Sequence, residues 1–314
     1  MSQNEILLMC PLYAPTQRRL EGSYRVHPFW NAPAPDALLE RVAPTCRVVV
    51  TSGGRGIEAA TLAKLPNVKL VSCFGVGVDA IDLGYCAKHG IAVTNTPEVL
   101  TDDVADLAVG LMIAALRRIA EADRFVRAGQ WLKGPLPLAT TVTGRKVGIV
   151  GMGRIGQAIA DRCRAFKTEI GYFGPNRKPV DGRYFTDLVA MATWADVLIA
   201  ACPGGEATRR LVSGPVLEAL GPAGFFVNIS RGSVVDQPAM VALLTSGRLG
   251  GAALDVFDDE PNVPAELLTL ETVVLQPHQG SGTTQTRQAM GDLTAGNVDA
   301  FFAGAPLLTA VGPT

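Results

Sequence analysis

The chain has 314 residues, 48% of them hydrophobic and 18% charged, with a formal net charge of -1. That length allows two domains, each with its own core, and the apolar balance excludes extensive disorder. A charge this small, with no basic block, excludes the electrostatic footprint of a nucleic-acid binder and favours small-molecule partners.

The first residues show no basic n-region, and the apolar run Ile6-Leu7-Leu8-Met9-Cys10 is too short for the core of a signal peptide. No uncharged apolar stretch approaches the ~20 residues of a membrane span, so a cytoplasmic protein is expected. Strands are predicted at 6–10, 47–51, 69–73 and 91–94, and helices at 57–65 and 79–89. Such alternation implies a parallel sheet wrapped by helices, with ligands bound at the loops that follow the strands. Two of those loops are glycine-rich, Ser52-Gly53-Gly54-Arg55-Gly56 and Phe74-Gly75-Val76-Gly77-Val78-Asp79. Their exposed N–H groups suit a carboxylate or keto acid, although ordinary tight turns account for the spacing equally well. The six cysteines, at 10, 46, 73, 86, 163 and 202, form no CxxC pair, so neither a metal site nor a disulfide framework is expected.

Thr101 offers an N-cap, and Asp102 and Asp103 suit a first helical turn. Val104, Leu107, Ala108, Leu111, Met112, Ala115, Leu116 and Ile119 then repeat at helical spacing. This predicts one long helix ending near Ala128-Gly129, passing between the domains and into a partner subunit. The irregular arm Trp131-Leu132-Lys133-Gly134-Pro135-Leu136-Pro137 follows, either crossing to a second chain or lying as a surface loop.

The segment from Lys146 to Phe166 organises the rest. The run Lys146-Val147-Gly148-Ile149-Val150 stops at Gly151-Met152-Gly153-Arg154-Ile155-Gly156, after which Ile159, Cys163 and Phe166 continue at helical spacing. Strand, glycine turn and helix together make a dinucleotide fingerprint. Gly151 permits the turn, Gly153 lets the backbone approach a pyrophosphate, and Gly156 lets the helix pack on the strand. The helix start then supplies amides and a positive dipole end for phosphates. Further strands at 169–173, 197–201, 225–229, 251–256 and 273–275 complete a second doubly wound sheet, and a helix at 284–302 leads back to the first domain.

An NAD-type fingerprint places an acid about 20 positions on, at the end of its second strand. Here that strand runs into Gly174-Pro175-Asn176-Arg177-Lys178, with two cations where the carboxylate would stand. A guanidinium can hold a 2′-phosphate bidentately, so NADP(H) is expected, with NAD(H) bound more weakly. Arg154, inside the glycine turn, adds charge towards the phosphates. Three later loops carry ionisable groups just past strands: Arg231, the acidic run Asp255 to Glu260, and His278. An imidazole there can protonate a forming alkoxide, a carboxylate on its other nitrogen would orient it and favour its protonated form, and a guanidinium can hold a substrate carboxylate. Together, behind this fingerprint, they describe hydride transfer to a 2-keto acid.

The segments Ser72-Cys73-Phe74-Gly75-Val76-Gly77-Val78-Asp79, the glycine fingerprint, Asn228-Ile229-Ser230-Arg231-Gly232, Ala253-Leu254-Asp255-Val256-Phe257 with Glu260-Pro261, and Pro277-His278 carry a resemblance over essentially the whole length. The sequence resembles the D-isomer-specific 2-hydroxyacid dehydrogenases, and most of all their glyoxylate/hydroxypyruvate reductase branch. The resemblance implies His278 as acid/base, Glu260 as its partner and Arg231 as substrate clamp. It implies Val76 and Gly77 amides on the substrate carboxylate and Asp255 on the nicotinamide carboxamide. Gly151, Gly153, Arg154, Ile155, Gly156, Asn176, Arg177, Lys178, Cys202, Pro203, Thr208, Ile229 and Gly280 are its further implied cofactor contacts. A homodimer built on the long helix and arm, 101–140, is also implied, with Trp131 reaching the partner's site. Gln279 follows the histidine where relatives often carry a small or apolar residue.

The expected fold is α/β, with two doubly wound parallel-sheet domains. A Rossmann coenzyme domain, 98–284, is inserted into a flavodoxin-like substrate domain, 1–97 and 285–314. The expected activity is NADPH-dependent reduction of glyoxylate or hydroxypyruvate to the D-2-hydroxy acid. Reduction of a bulkier 2-keto acid, such as hydroxyphenylpyruvate or a sugar keto acid, is the alternative within the class. A non-catalytic nicotinamide-sensing binding protein is the alternative outside it.

Overall fold

The computed structural model describes residues 4–312, which fall into two compact units. One is drawn from both ends of the chain, up to Leu100 and again from Thr283, and the other is Thr101–Gly282.

The first unit holds a five-stranded sheet of β1 (Glu5–Leu8), β2 (Arg25–Pro28), β3 (Val48–Ser52), β4 (Leu70–Phe74) and β5 (Ala92–Thr94). All neighbours are parallel, in the order β2-β1-β3-β4-β5, the flavodoxin-like winding. Apart from the edge strand β2, its strands are apolar at most positions because both faces are covered. Leu7, Val49 and Val71 pack into one core, while Ile6, Leu8, Val48, Val50 and Leu70 pack on the other face with Ala295 and Val298 of the final helix, Thr284–Phe302. β2 and the helices Ala14–Ser23 and Pro35–Val42 go beyond the elements expected from sequence. β2 is an edge strand ending in Pro28, and an edge tolerates the missing amide. The helix expected at 79–89 begins only at Leu83, where the Asp82 side chain accepts the Tyr85 amide at 2.8 Å and caps it.

The second unit holds a seven-stranded sheet of β6 (Lys146–Val150), β7 (Glu169–Phe173), β8 (Arg183–Phe185), β9 (Val197–Ala200), β10 (Phe225–Asn228), β11 (Gly251–Leu254) and β12 (Val273–Leu275). Every pairing is parallel, in the order β12-β11-β10-β9-β6-β7-β8. The winding reverses at β6, between β7 and β9, and ligands of such sheets bind outside the strand ends at that switch point. β8 goes beyond the elements expected from sequence: it is a three-residue edge strand that opens on the exposed Arg183.

The long helix expected from 101 to about 128 is in fact two, Thr101–Leu116 and Ile119–Arg127. Arg118 breaks it with a left-handed backbone (φ 54°), and its guanidinium clasps Glu121 through two bonds of 2.5 and 2.6 Å. This pair holds the first turn of the second helix, while Ile119, the last member of the apolar repeat, is left 51% exposed. The first helix packs on the fingerprint helix, Arg154–Arg164, where Arg162 bridges Asp102 and Asp106 at 2.9 and 2.5 Å. Among the described residues no helix is long and apolar enough to cross a membrane.

Candidate active site

The glycine turn after β6 is built on close approaches. Gly151 has φ +98°, and a Cβ there would lie 2.7 Å from Cys202 Cα in the loop after β9. A Cβ on Gly156 would lie 2.1 Å from the Gly151 carbonyl oxygen, so the helix can sit this close only without a side chain. Gly153, the residue before the helix, would place a Cβ in open space. A dinucleotide fits this cradle: two glycines close the turn, and the third leaves a bare approach to helix amides that have no intrahelical acceptor.

After β7, Asn176, Arg177 and Lys178 lie exposed in the turn that leads to β8. Tyr172 pins this turn by donating its hydroxyl to the Lys178 carbonyl at 3.1 Å and accepting the Lys178 amide at 2.9 Å. Tyr184 donates to the Gly174 carbonyl at 3.0 Å from the neighbouring strand. Arg154 is exposed at the start of the helix and Ile155 is half-buried beside it. In the loop after β9, Thr208 donates to the Pro203 carbonyl at 2.7 Å and so fixes the chain beyond Cys202, while Ile229 is buried after β10.

At the ends of β10, β11 and β12 the sheet brings three distant segments together. His278 Nδ1 lies 2.8 Å from Glu260 Oε2, and the other Glu260 oxygen accepts the Phe257 amide at 3.1 Å. Burial alone would raise the Glu260 carboxyl. The hydrogen bond and charge of His278, the Phe257 amide and the charge of Arg231 outweigh burial, and the net direction is down. Glu260 is therefore held as a carboxylate facing the imidazole. Arg231 adds its charge to this site, with Nη1 donating to the Ser230 carbonyl at 2.9 Å.

Asp255 ties the histidine loop down. His278 has a left-handed backbone (φ 54°), a conformation that costs energy unless the surroundings enforce it. The Asp255 carbonyl accepts the His278 amide at 2.9 Å, and its two carboxylate oxygens accept the Gln279 and Gly280 amides at 2.5 and 2.8 Å. Burial pushes the Asp255 carboxyl up, and the two amides and His278 only partly oppose it. A Cβ on Gly280 would stand 3.2 Å from that carboxylate, so glycine fits the contact.

Val76 and Gly77 belong to the other compact unit. Val76 is 37% exposed and its carbonyl accepts from Asn95 Nδ2 at 2.8 Å, while the Gly77 carbonyl accepts from Cys73 Sγ at 3.5 Å. Trp131 lies on a short 3-10 turn and is 69% exposed, with Leu132 and Leu138 more exposed still.

Residues 109–280 match the model of the D-isomer specific 2-hydroxyacid dehydrogenase NAD binding domain. The chain is 49% identical over 307 residues to glyoxylate/hydroxypyruvate reductase A of Arabidopsis thaliana, covering 98% of each. The chain belongs to the D-isomer-specific 2-hydroxyacid dehydrogenase family. It is also 46% identical over 307 residues to hydroxyphenylpyruvate reductase of Plectranthus scutellarioides, again covering 98% of each. An NADPH-dependent glyoxylate/hydroxypyruvate reductase of Sinorhizobium meliloti, solved with NADP and malonate, superposes with a TM-score of 0.91 at 37% identity, covering 99% of this chain and 97% of that one.

In this dehydrogenase the contacts that sequence reasoning missed are the lateral ones between loops. A Cβ on Gly232 would meet the Phe257 carbonyl carbon at 2.0 Å, so the Arg231 loop is pressed against the segment that carries Glu260. Asp255→Asn would set an amide NH2 against one of the two loop N–H groups. Losing one hydrogen bond to a charged group is expected to cost about 2 kcal/mol of stability, read by chemical denaturation, and kcat should fall by about tenfold as the His278 loop loosens.

Proposed function

We propose that this dehydrogenase reduces glyoxylate and hydroxypyruvate with NADPH, giving glycolate and D-glycerate, as a cytoplasmic homodimer. The observation that carries the reading is the 2.8 Å contact between His278 Nδ1 and Glu260. With Nδ1 engaged, Nε2 is the ring atom left to face a substrate oxygen. The reduced nicotinamide, when bound, supplies a hydride to the keto carbon. Arg231 holds the substrate carboxylate and polarises the adjacent carbonyl. His278 gives its proton to the oxygen as the carbon–oxygen double bond becomes a single bond. Glu260, kept ionised, stabilises the imidazolium before transfer and holds the ring in place after it. The glycine cradle, with Cys202, Pro203, Thr208, Ile229, Asp255 and Gly280 around it, binds the dinucleotide, and Asn176, Arg177 and Lys178 bind its 2′-phosphate. Trp131 of one protomer reaches towards the site of its partner.

A second reading, a bulkier 2-keto acid, is favoured by one observation. A cavity of about 270 Å³ lies beside the acid/base pair, lined by Phe257, Pro261, Val263, Leu268 and Leu275 together with Glu260 and His278. A screen of NADPH oxidation against glyoxylate, hydroxypyruvate, hydroxyphenylpyruvate and 2-ketogluconate separates the two. The highest kcat/KM is expected for hydroxypyruvate or glyoxylate, and a preference of more than about tenfold for the aromatic acid would favour the second reading, the discrimination that one to two buried methylenes can supply.

A further inference from the structure

We propose that Asn228 is a positioning residue for substrate capture, fixing the backbone of Arg231 in register with the glycine turn of the cofactor cradle. The inference rests on the reading of Arg231 as the carboxylate clamp. β10 ends at Asn228, which is fully buried. Its Nδ2 donates to the Arg231 carbonyl at 3.0 Å, and its Oδ1 accepts the Ser230 amide at 3.0 Å. One side-chain amide thus closes the turn at both ends. Ser230, also buried, donates its hydroxyl to the Cys202 carbonyl. Cys202 is the residue that Gly151 approaches so closely that a Cβ would lie 2.7 Å from its Cα. A continuous set of contacts therefore runs from the first glycine of the fingerprint, through Cys202 and Ser230, to Arg231.

The opposite side of the loop is fixed as well, since Gly232 abuts the Phe257 backbone. Arg231 stands between the Asn228 hydrogen bonds on one side and the Phe257 backbone on the other, so its backbone is held from both directions. Packing alone does not explain an amide here: a buried polar side chain is costly unless its donor and acceptor are both matched. Both of its matches flank the guanidinium-bearing residue. Aspartate at this position would keep the acceptor for Ser230 but turn a second oxygen towards the Arg231 carbonyl, which repels it.

The test compares wild type with Asn228→Asp, Asn228→Ser and Ser230→Ala, using hydroxypyruvate turnover, NADPH titration and thermal melting. KM for the keto acid is expected to rise about 10- to 100-fold, the scale of an ångström-sized misplacement, with a smaller change in kcat and, in the Asn228 variants, an unchanged Kd for NADPH. In an Arg231→Lys background, Asn228→Asp should add less than about twofold, because substitutions acting through one group are not additive. An unchanged KM in folded variants, or fully additive losses in that background, overturns the proposal. Should Asn228→Asp fail to fold, the serine and alanine variants carry the same comparison. Oxalate binding to the enzyme–NADP complex, measured calorimetrically, reads the clamp without turnover. Weaker oxalate binding in the variants supports the role of Asn228, and equal binding overturns it. Wild-type protein inert towards the keto acids would instead overturn the reading of the reaction.

Discussion

Replacing His278 by Ala is expected to lower kcat by about 10³-fold while leaving NADPH affinity within about twofold, because a positioned general acid contributes about 10² to 10⁴ to such a step. The ring meets Glu260 through Nδ1 at 2.8 Å, and its side chain is 41% exposed, so little core packing is lost with it. The backbone at 278 is left-handed, and Asn tolerates that region better than most residues. His278→Asn is therefore the stricter variant: it keeps the loop conformation and still removes the proton donor. Glu260→Gln should be milder, about 10- to 100-fold in kcat, because a neutral acceptor still orients the ring but no longer stabilises the imidazolium. Steady-state kinetics with a parallel cofactor titration checks the order of the three. Full activity in either histidine variant ends the proposed role.

Much of the fold is readable in the sequence because both sheets are covered on both faces. β1, β3 and β4, and in the second sheet β6, β9 and β10, are nearly continuous apolar runs, and such runs stand out against polar loops. β2 and β8 are hidden for the converse reason: each is a short edge strand that opens on an exposed arginine, and β2 also carries His27 and Pro28, so neither forms the apolar run that makes the equally short edge strands β5 and β12 readable. The break at Arg118 is hidden because the apolar spacing continues through Ile119, while the backbone reverses for a local guanidinium–carboxylate clasp that no period reports. At the site, the glycine spacing carries its own physics, since Gly151 and Gly156 admit no Cβ and Gly153 faces open space. The grip of Asp255 on the amides of Gln279 and Gly280 is of another kind. These residues are 24 and 25 positions away in sequence, and only the pairing of β11 with β12 brings the loops side by side. Asn228 does carry a local signal, because an Asn at a strand end can accept the backbone amide two residues on as an Asx turn, here that of Ser230.

Removing both cations of the turn after β7, Arg177→Ala with Lys178→Ala, is expected to weaken NADPH by about 100-fold and NADH by less than about threefold. A charge-assisted hydrogen bond contributes about 1.5 to 3 kcal/mol, and every 1.4 kcal/mol is tenfold in affinity, so the loss of two such contacts to a 2′-phosphate falls in that range even after solvent screening. The side chains are exposed, but the backbone that presents them is not loose. Both polar groups of the Lys178 backbone bond the Tyr172 hydroxyl, which stands on a fully buried ring, and Tyr184 holds Gly174 from β8. Tyr172→Phe should therefore reproduce part of the loss with both charges still present, because the turn would lose its anchor. The charge and placement effects separate by salt: the discrimination between NADPH and NADH in wild type should shrink as ionic strength rises, since exposed charges are screened over about 10 Å at 0.1 M, whereas the double variant should show little salt dependence. Equal losses for the two cofactors, or a salt-independent preference in wild type, would place the 2′-phosphate elsewhere.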